Sequence, residues 1–400
     1  MMSNVPKLRF QEFSGEWKKQ KLNQIASKSN SKNKDESICE VFTNSAVNGI
    51  VAQRDFFDKD IANQNNLAGY YIVRHNDFIY NPRISTSAPV GPLNRNHLQT
   101  GVMSPLYTVF TVKDTSVSLE YLERYFKSSK WFKYMYSIAN YGARSDRMSV
   151  TNNDFFAMPI PIPSKPEQEK IASFLTSVDT KIELLVRKEE LLQQYKKGVM
   201  QKIFSQEIRF KADDGSKYPE WEEKGGNKIF ETITNKNHNS DLPVLAITQE
   251  YGAIPRDMID YQISVTDKSV ATYKVVEIGD FIISLRSFQG GIEYSNYKGI
   301  CSPAYIILRP YIDVDTRFYK LYLKTDNYIK QLNRNIEGIR DGKMISYKQF
   351  SDIKLPYPCI EEQTKIANFL SSIDSKLEHI QKQLNATKAF KKALLQQMFV

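Results

Sequence analysis

Two long segments of the chain, 167–204 and 362–399, carry hydrophobic residues in steps of three, four and seven. The apolar positions are Ile171, Leu175, Val178, Ile182, Leu185, Leu192, Val199 and Ile203 in the first segment and Ile366, Leu370, Ile373, Leu377, Ile380, Leu384, Leu394 and Met398 in the second. This spacing, sustained over about five heptads, predicts two long helices with a coiled-coil seam. Glu189, Lys196 and Lys391 interrupt the seam, which suits a helix pair held together by its own chain. The alternative is two independent surface helices, each packed on its own domain.

A proline-rich lead-in precedes each predicted helix, at 159–163 and 356–358. Because proline lacks a backbone N–H, these segments are expected to be extended and not to continue a sheet. Pro166 and Glu167 then mark the first turn of the first helix, where a proline and an acidic residue are both favoured.

The remaining segments, 1–155 and 206–350, are predicted to be mixed α/β domains. Short runs rich in β-branched and aromatic residues are typical of strands. The clearest runs are 70–73, 77–80, 106–110, 280–283 and 304–308. Each half also carries one stretch typical of a helix, from Leu119 to Met135 and from Thr316 to Leu332.

The two helical segments are copies of one another. The pattern Glu-Gln-x-Lys-Ile-Ala-x-Phe-Leu-x-Ser begins at Glu167 and again at Glu362. Weaker matches pair 77–79 with 280–282 and 101–107 with 299–305. Such self-similarity indicates an internal duplication, so the same globular domain is expected twice. The loops between the matches differ in length, which favours two sites of one kind with different specificities.

Composition and charge narrow the function. The 400 residues, 41% of them hydrophobic, are enough for two to three domains with proper cores. The net charge of +10 and a pI near 9.1 indicate an anionic partner. With no long apolar run and no apolar signal core at the N-terminus, we expect a soluble, cytoplasmic protein that does not engage a membrane. Three scattered cysteines fit reduced thiols, and the four histidines lie in no metal-ligand spacing.

The sequence lacks the motifs of catalysis. It has no Gly-x-x-x-x-Gly-Lys-Ser/Thr phosphate loop, no Gly-x-Gly-x-x-Gly after a strand and no Ser-His-Asp set. Asn81-Pro82 is only the first half of an Asn-Pro-Pro-aromatic methyl-transfer motif and predicts a turn. Asp213-Asp214 with Glu222-Glu223-Lys224 loosely resembles a nuclease motif, but it lies in a linker rich in glycine, lysine and proline, where a solvated turn is favoured. No catalytic or metal-binding residue is therefore predicted.

Polar clusters that occur in both halves are the candidate binding residues. Loops 140–147 and 338–343 each combine glycine with arginine, whose forked donors suit guanine edges or phosphates. A second pair of clusters is 81–83 and 284–289. The candidates are Asn81, Arg83, Asn140, Tyr141, Arg144, Arg147, Arg286, Ser287, Gln289, Arg340 and Lys343. The alternative for each arginine is a surface ion pair of little consequence.

The repeated unit resembles a known family. The pattern Ile-Pro-x-Pro-x-x-x-Glu-Gln-x-x-Ile-Ala-x-Phe-Leu-x-x-x-Asp-x-Lys-Ile runs from Ile160 to Ile182, and a close copy runs from Leu355 to Leu377. A variable globular domain, this motif and a long helix, repeated once, resemble the specificity subunit of type I restriction-modification systems. The second copy departs from the pattern just before its Glu-Gln pair, where it has Cys359-Ile360-Glu361.

The resemblance implies an α+β fold with two target-recognition domains, 1–163 and 205–358, and two antiparallel spacer helices, 164–204 and 359–400, related by a pseudo-twofold axis. Each domain is expected to read one half of a split double-stranded DNA target. The helices are expected to dock two modification subunits, and restriction subunits complete the complex. The docking residues implied are Glu167, Gln168, Ile171, Phe174, Leu175, Glu362, Gln363, Ile366, Phe369 and Leu370.

The same resemblance implies a non-catalytic subunit without a cofactor of its own. S-adenosylmethionine, ATP and Mg²⁺ are expected on the partner subunits. Two other functions stay open at this point. One is an interaction scaffold that binds proteins or other ligands through duplicated domains, and the other is an enzyme that acts alone on DNA.

Overall fold

The computed structural model describes residues 4–56, 67–140, 146–239, 241–259, 270–334 and 345–400. The chain forms two compact units, Met1–Arg187 with Lys382–Val400 and Lys188–Gln381. Each unit holds one globular domain and a part of each long helix. The units therefore divide the chain differently from the predicted boundaries at 163/164, 204/205 and 358/359.

Unit 1 is built from short strands and short helices around one end of each long helix. Its strands are β1 (Lys18–Lys21), β2 (Ala26–Lys28), β3 (Phe42–Ser45), β4 (Gly49–Ala52), β5 (Tyr71–Val73), β6 (Phe78–Tyr80), β7 (Leu93–Arg95), β8 (Gly101–Met103), β9 (Thr108–Val112) and β10 (Pro159–Ile162). Its short helices are α1 (Leu22–Ile25), α2 (Gln53–Phe56), α3 (Leu119–Lys127), α4 (Phe132–Ile138) and α5 (Asn152–Phe156). The long helix α6 (Lys165–Phe204) begins in this unit.

Unit 2 repeats this plan. Its strands are β11 (Glu222–Gly225), β12 (Phe230–Ile233), β13 (Leu245–Thr248), β14 (Gly252–Pro255), β15 (Lys274–Val276), β16 (Phe281–Ile283), β17 (Glu293–Tyr294), β18 (Gly299–Cys301), β19 (Ile306–Pro310) and β20 (Lys354–Tyr357). Its short helices are α7 (Ser287–Gly290), α8 (Thr316–Tyr322), α9 (Asp326–Arg334) and α10 (Tyr347–Asp352), with 3-10 turns at Gly226–Lys228 and Arg256–Met258. The second long helix, α11 (Ile360–Gln397), begins in this unit.

The sheets confirm the duplication strand by strand. Unit 1 has an antiparallel four-stranded sheet in the order β2-β9-β6-β7, and unit 2 has one in the order β12-β19-β16-β17. The two-stranded pairs β1–β10, β3–β4 and β5–β8 likewise have counterparts in β11–β20, β13–β14 and β15–β18. The predicted α+β fold, with one mixed domain present twice and two long helices, is confirmed.

The proline-rich lead-ins are extended, as predicted, but the expectation that they would not continue a sheet was wrong. Pro159–Ile162 forms β10 and pairs with β1 along its whole length, and Lys354–Tyr357 pairs with β11 in the same way. Prolines are tolerated here because each strand belongs to a two-stranded pair with one open edge. The carbonyl of Pro161 also accepts a hydrogen bond from Tyr121 Oη at 2.6 Å.

The single helix predicted in each globular half is two helices. In unit 1, the N–H and hydroxyl groups of Ser128 both donate to the carbonyl of Tyr125. These two hydrogen bonds end α3. In unit 2, Thr325 Oγ1 donates to the carbonyl of Tyr322 and accepts from the N–H of Tyr328, which separates α8 from α9. Serine and threonine side chains compete with the helical backbone for its hydrogen bonds, which explains both breaks.

The long helices pack on each other and on the globular domains. In unit 1, Ile171, Leu175 and Val178 share one hydrophobic core with Leu394 and Met398. Because the start of α6 lies beside the end of α11, the two segments run antiparallel. All sixteen predicted seam positions are buried or half-buried, so the seam is confirmed.

The core of unit 2 shows the same relationship. There the end of α6, at Ile203, shares a core with Ile366, Leu370 and Ile373 from the start of α11. The alternative of two helices packed only on their own domains is therefore wrong.

Candidate DNA-recognition and helix-anchoring sites

Two of the candidate binding residues of unit 1 are brought together by one strand bridge. Arg83 and Arg147 pair as an antiparallel bridge, and both guanidinium groups approach the carboxylate of Asp146, at 3.8 and 3.7 Å. The Arg83 side chain is 63% exposed, so this contact is weak and the donors remain available. Two arginines around one exposed carboxylate form a surface that can bind phosphate or a base edge.

Asn81 and Asn140 have different positions from these arginines. Asn81 is buried, donates from Nδ2 to the carbonyl of Asn44 at 3.2 Å and accepts from the N–H of Arg83 at 3.0 Å. It therefore shapes the turn that presents Arg83. Asn140 is exposed and pairs through its backbone with Ser149. Tyr141 and Arg144 lie outside the described residues.

In unit 2 the equivalent turn follows β16. Ser287 is buried, and its hydroxyl accepts a hydrogen bond from the N–H of Ser284 at 2.9 Å, which fixes the turn. Arg286 and Gln289 are exposed. Arg340 and Lys343 lie outside the described residues. The binding role of the described candidates stays a prediction.

A cavity of about 740 Å³ lies beside Arg286. Its wall includes Gln249 and Tyr251 from the loop between β13 and β14, together with Tyr305 and the buried carboxylate of Glu293. The Gln249 side chain spans part of this wall and donates from Nε2 to the carbonyl of Arg286 at 3.2 Å. The cavity combines flat apolar side chains with hydrogen-bonding groups.

Sequence reasoning missed a lysine contact that occurs in both units. Lys127 donates a hydrogen bond to Asn94 Oδ1, and Lys324 donates one to Glu293 Oε1. Lys127 is the last residue of α3, and Lys324 lies just after the end of α8, so both lysines are at the end of the first helix after strands β9 and β19. The residue-by-residue matches do not reveal this pair because the acceptor differs between the halves and the loops before it have changed length.

Glu167 and Glu362, two of the predicted docking residues, anchor the long helices to the globular domains. Glu167 is 1% exposed and accepts two hydrogen bonds from Arg9, Nε to Oε1 at 2.7 Å and Nη2 to Oε2 at 2.8 Å. Trp17 Nε1 adds a third at 3.2 Å. The contact with Glu167 raises the pKa of Arg9.

Unit 2 repeats the anchor around Glu362. Arg209 donates to its two carboxylate oxygens at 3.3 and 2.8 Å, and Trp221 Nε1 donates at 2.9 Å. The hydrogen bond to Glu362 is likewise the main cause of the raised pKa of Arg209.

The glutamine that follows each anchor glutamate ties the helix start to the backbone. Gln168 Oε1 accepts from the N–H of Ser118 at 2.7 Å, and its Nε2 donates to the carbonyl of Pro163 at 2.9 Å. Gln363 makes the equivalent bonds with Asp315 and Pro358. The repeated Glu-Gln pair is thus explained by contacts inside each unit.

These contacts cover most of the predicted docking residues, whose docking role stays a prediction. The buried side chains are Glu167, Gln168, Ile171, Leu175, Glu362, Gln363, Ile366 and Leu370. Phe174 and Phe369 are half-buried against Phe10 and Phe210. The large apolar side chains that the two long helices expose are Leu184, Leu191, Tyr195 and Phe390.

Equivalent ion pairs join the long helices within each unit. In unit 1, Lys391 contacts Asp179, which also receives Arg124 from α3. In unit 2, Lys196 contacts Asp374. Two of the three charged residues that interrupt the predicted seam, Lys196 and Lys391, therefore pair across it, which fixes the register of the two helices.

The described residues include no group of three or more histidine, cysteine, aspartate or glutamate side chains arranged to hold a metal ion. None of the described helices is long and apolar enough to span a membrane. The acidic run at 213–214 forms a turn, in which Asp214 Oδ1 accepts from the N–H of Ser216 at 2.8 Å and Asp213 pairs with Lys365.

Relatives of known family share this organisation. The chain is 28% identical over 295 residues to a putative type I restriction enzyme MjaX specificity subunit of Methanocaldococcus jannaschii, covering 69% of this chain and 65% of that one. It is 26% identical over 268 residues to the type I restriction enzyme MjaVIII specificity subunit of the same organism, covering 62% of each chain. The match thus spans somewhat less than two thirds of these relatives' own length.

Solved structures share the fold at low sequence identity. A chain from a study of complex assembly and conformational transition in the type I R-M system matches with a TM-score of 0.60 at 16% identity, covering 96% of this chain and 97% of that one. The HsdS subunit from Thermoanaerobacter tengcongensis matches with a TM-score of 0.54 at 17% identity, covering 96% of each chain.

The duplicated domains are also recognised from sequence. The family described as the type I restriction modification DNA specificity domain matches residues 14–194 and again residues 220–388. The two matches cover most of the chain, and each contains one copy of the strands and most of the long helix that follows them. The chain belongs to the type I restriction-modification DNA specificity family.

Proposed function

We propose that this chain is the sequence-reading subunit of a type I restriction-modification complex. Each globular domain reads one half of a split double-stranded DNA target. The observation that carries this proposal is one scaffold present twice, with an arginine at equivalent turns in different surroundings. Arg83 lies beside Arg147 in unit 1, and Arg286 lies beside the cavity in unit 2. The net charge of +10 favours the same anionic partner.

The long helices dock two modification subunits through their exposed faces. Tyr195 and Phe390 occupy equivalent places in the two copies of the repeat and are 54% and 52% exposed. Exposed aromatic side chains on otherwise charged helices are typical anchors of a protein interface. Because there are two such places, two copies of one partner can bind equivalently.

The chemistry belongs to other subunits of the complex. Modification subunits supply methyl transfer from S-adenosylmethionine, and restriction subunits supply ATP-driven translocation and Mg²⁺-dependent cleavage. This chain contributes specificity and assembly, has no cofactor of its own and acts in the cytoplasm.

Methylation mapping tests the proposal. The chain is expressed with its modification subunit in a host that lacks methylation, and the methylated sites are sequenced. We expect one bipartite target with a fixed unread gap. Residues 18–158 are then replaced by the equivalent segment of a related chain, which keeps Arg9, Trp17 and the two long helices. This replacement should change one half of the target only.

Two results would contradict the proposal. If both halves of the target changed after the replacement, the domains would not read DNA independently. If the chain with its partner directed no sequence-specific methylation, an interaction scaffold would be the better description.

A further inference from the structure

The equivalent lysines of the two recognition domains, Lys127 and Lys324, bind different acceptor side chains. Asn94 lies on β7 opposite Ile79, and Glu293 lies on β17 opposite Ile282. These positions are counterparts, because β6–β7 and β16–β17 are equivalent strand pairs. Unit 1 therefore has a neutral amide where unit 2 has a carboxylate.

In unit 1 the side-chain amide nitrogen of Asn94 donates its hydrogen bonds to neighbouring residues. Asn94 Nδ2 donates to Asn44 Oδ1 at 2.6 Å and to the carbonyl of Ser45 at 3.1 Å. Asn44 in turn donates to the carbonyls of Ile79 at 2.8 Å and Pro92 at 3.2 Å. This buried network ties the β3–β4 hairpin to the four-stranded sheet.

In unit 2 the corresponding network is missing. The hairpins β3–β4 and β13–β14 are closed by the equivalent pairs Ser45–Gly49 and Thr248–Gly252, so the counterpart of Asn44 is Ile247. Isoleucine has no side-chain donor or acceptor.

Glu293 is left with an unused acceptor. Its Oε1 receives Lys324 Nζ at 2.5 Å, but its Oε2 has no hydrogen-bond partner among the described residues, although Glu293 is only 2% exposed. Burial raises the pKa of this carboxyl group despite the contact with Lys324. Buried polar atoms in folded proteins nearly always have a partner, so a donor from outside the chain is expected here.

The place where the network is missing is where the cavity of about 740 Å³ opens. Both Ile247 and Glu293 form part of its wall. Gln249 and Arg286 lie on the same wall. The hydrogen bond between them is exposed to solvent, so breaking it costs little free energy. A ligand in the cavity thus meets one acceptor from Glu293 and donors from Arg286 and Gln249.

We propose that Glu293 is a specificity-determining residue of the second recognition domain, and that its free oxygen accepts a hydrogen bond from an exocyclic amino group of a DNA base, N6 of adenine or N4 of cytosine. This inference rests on the proposed function. A carboxylate favours these amines and rejects the equivalent edges of guanine and thymine, which present only acceptors. The first domain lacks this contact because Asn44 already occupies the corresponding place.

Base analogues test the contact directly. The target is first mapped with the wild-type chain. Binding of the assembled complex is then measured on duplexes in which one adenine at a time is replaced by purine, or one cytosine by 2-pyrimidinone, each of which lacks the amino group. At one position of the second half-site, removal of the amine should weaken the wild-type complex about ten-fold. Glu293→Gln should bind that duplex and its parent equally.

A second variant keeps Glu293 and supplies the missing donor from the chain. Ile247→Asn mirrors Asn44 of the first domain and should abolish discrimination at the same position, with the first half-site unchanged. Ile247→Val is the matched control. It adds no polar group, so it should keep the difference in affinity between the parent duplex and the duplex that lacks the amine, whatever its effect on overall binding.

The outcomes are distinguishable. If wild-type methylation is not sequence-specific, the proposed function fails. If wild-type methylation is specific and both Glu293→Gln and Ile247→Asn keep the full ten-fold discrimination, only the role of Glu293 is overturned. An equal loss of binding on all duplexes would overturn that role too, because losing one base contact should leave other sequences bound.

Discussion

Arg9 binds Glu167 through two parallel hydrogen bonds, and so fixes the start of the first long helix to the globular domain of unit 1. Glu167→Ala should lower the free energy of unfolding of unit 1 by about 3 kcal/mol, because it leaves a largely buried guanidinium without its partner. Urea unfolding measures this loss. Glu169→Ala removes an exposed carboxylate two residues away and should cost no more than about 0.5 kcal/mol. Equal losses from the two variants would contradict the anchoring role.

The arginines of unit 1 should act on one half-site. Arg83→Ala and Arg147→Ala should each weaken DNA binding by about 1–3 kcal/mol at the first half-site if the side chain contacts a base with two hydrogen bonds. Arg54→Ala is a matched control, since Arg54 is 71% exposed in the same unit. Binding to duplexes with single changes in either half-site measures the effect. A loss that is uniform over all sequences, with a smaller salt dependence, would make the arginine a phosphate contact.

The exposed aromatic residues should control assembly. Tyr195→Ala and Phe390→Ala should each reduce the number of bound modification subunits from two to one, and the double variant should bind none. Both side chains are half-exposed, so stability should change little. Light scattering coupled to size exclusion measures the stoichiometry, and Gln193→Ala on the same helix serves as the control. Two bound subunits in the double variant would place the docking surface elsewhere.

The pH dependence of unit 2 should reflect Glu293. Burial raises the pKa of this carboxyl group in the folded state, so the folded chain holds the proton more tightly than the unfolded chain. The contribution of Glu293 to stability is therefore greatest below the group's ordinary pKa and falls as the pH rises through the folded-state pKa. The unfolding free energies of wild type and Glu293→Gln are measured from pH 4 upwards. As the pH rises, wild type should lose stability relative to Glu293→Gln. An opposite trend would mean that Lys324 outweighs burial.

The helices should act as a ruler for the unread gap. Inserting four residues into α6 alone would offset the pairs Asp179–Lys391 and Lys196–Asp374 against each other, so the insertion has to be made in both helices, after Arg187 and after Gln381. Four residues add about 6 Å of helix and nearly complete a turn. The gap should lengthen by about one or two base pairs, with both half-sites unchanged. Methylation mapping decides this, and an unchanged gap with retained activity would exclude the spacer role.

Local pattern by itself determined the long helices, the seam and the duplication. The period of residues such as Ile171, Leu175 and Val178 depends only on helical geometry, and near-identity between the two copies needs no knowledge of the fold. The strand positions around Phe78 and Phe281 followed from composition in the same way.

The tertiary structure alone decided which partner each side chain has. The Glu-Gln pair at 167–168 looks equally suited to a partner protein and to its own domain, and only the approach of Arg9 and Trp17 assigns it to the latter. The pairing of Lys324 with Glu293, and the absence of a neighbour for the second oxygen, depend on strands that are distant in sequence. Hydrophobic periodicity is a local property of the chain, whereas burial and hydrogen bonding between distant segments arise only when the chain packs.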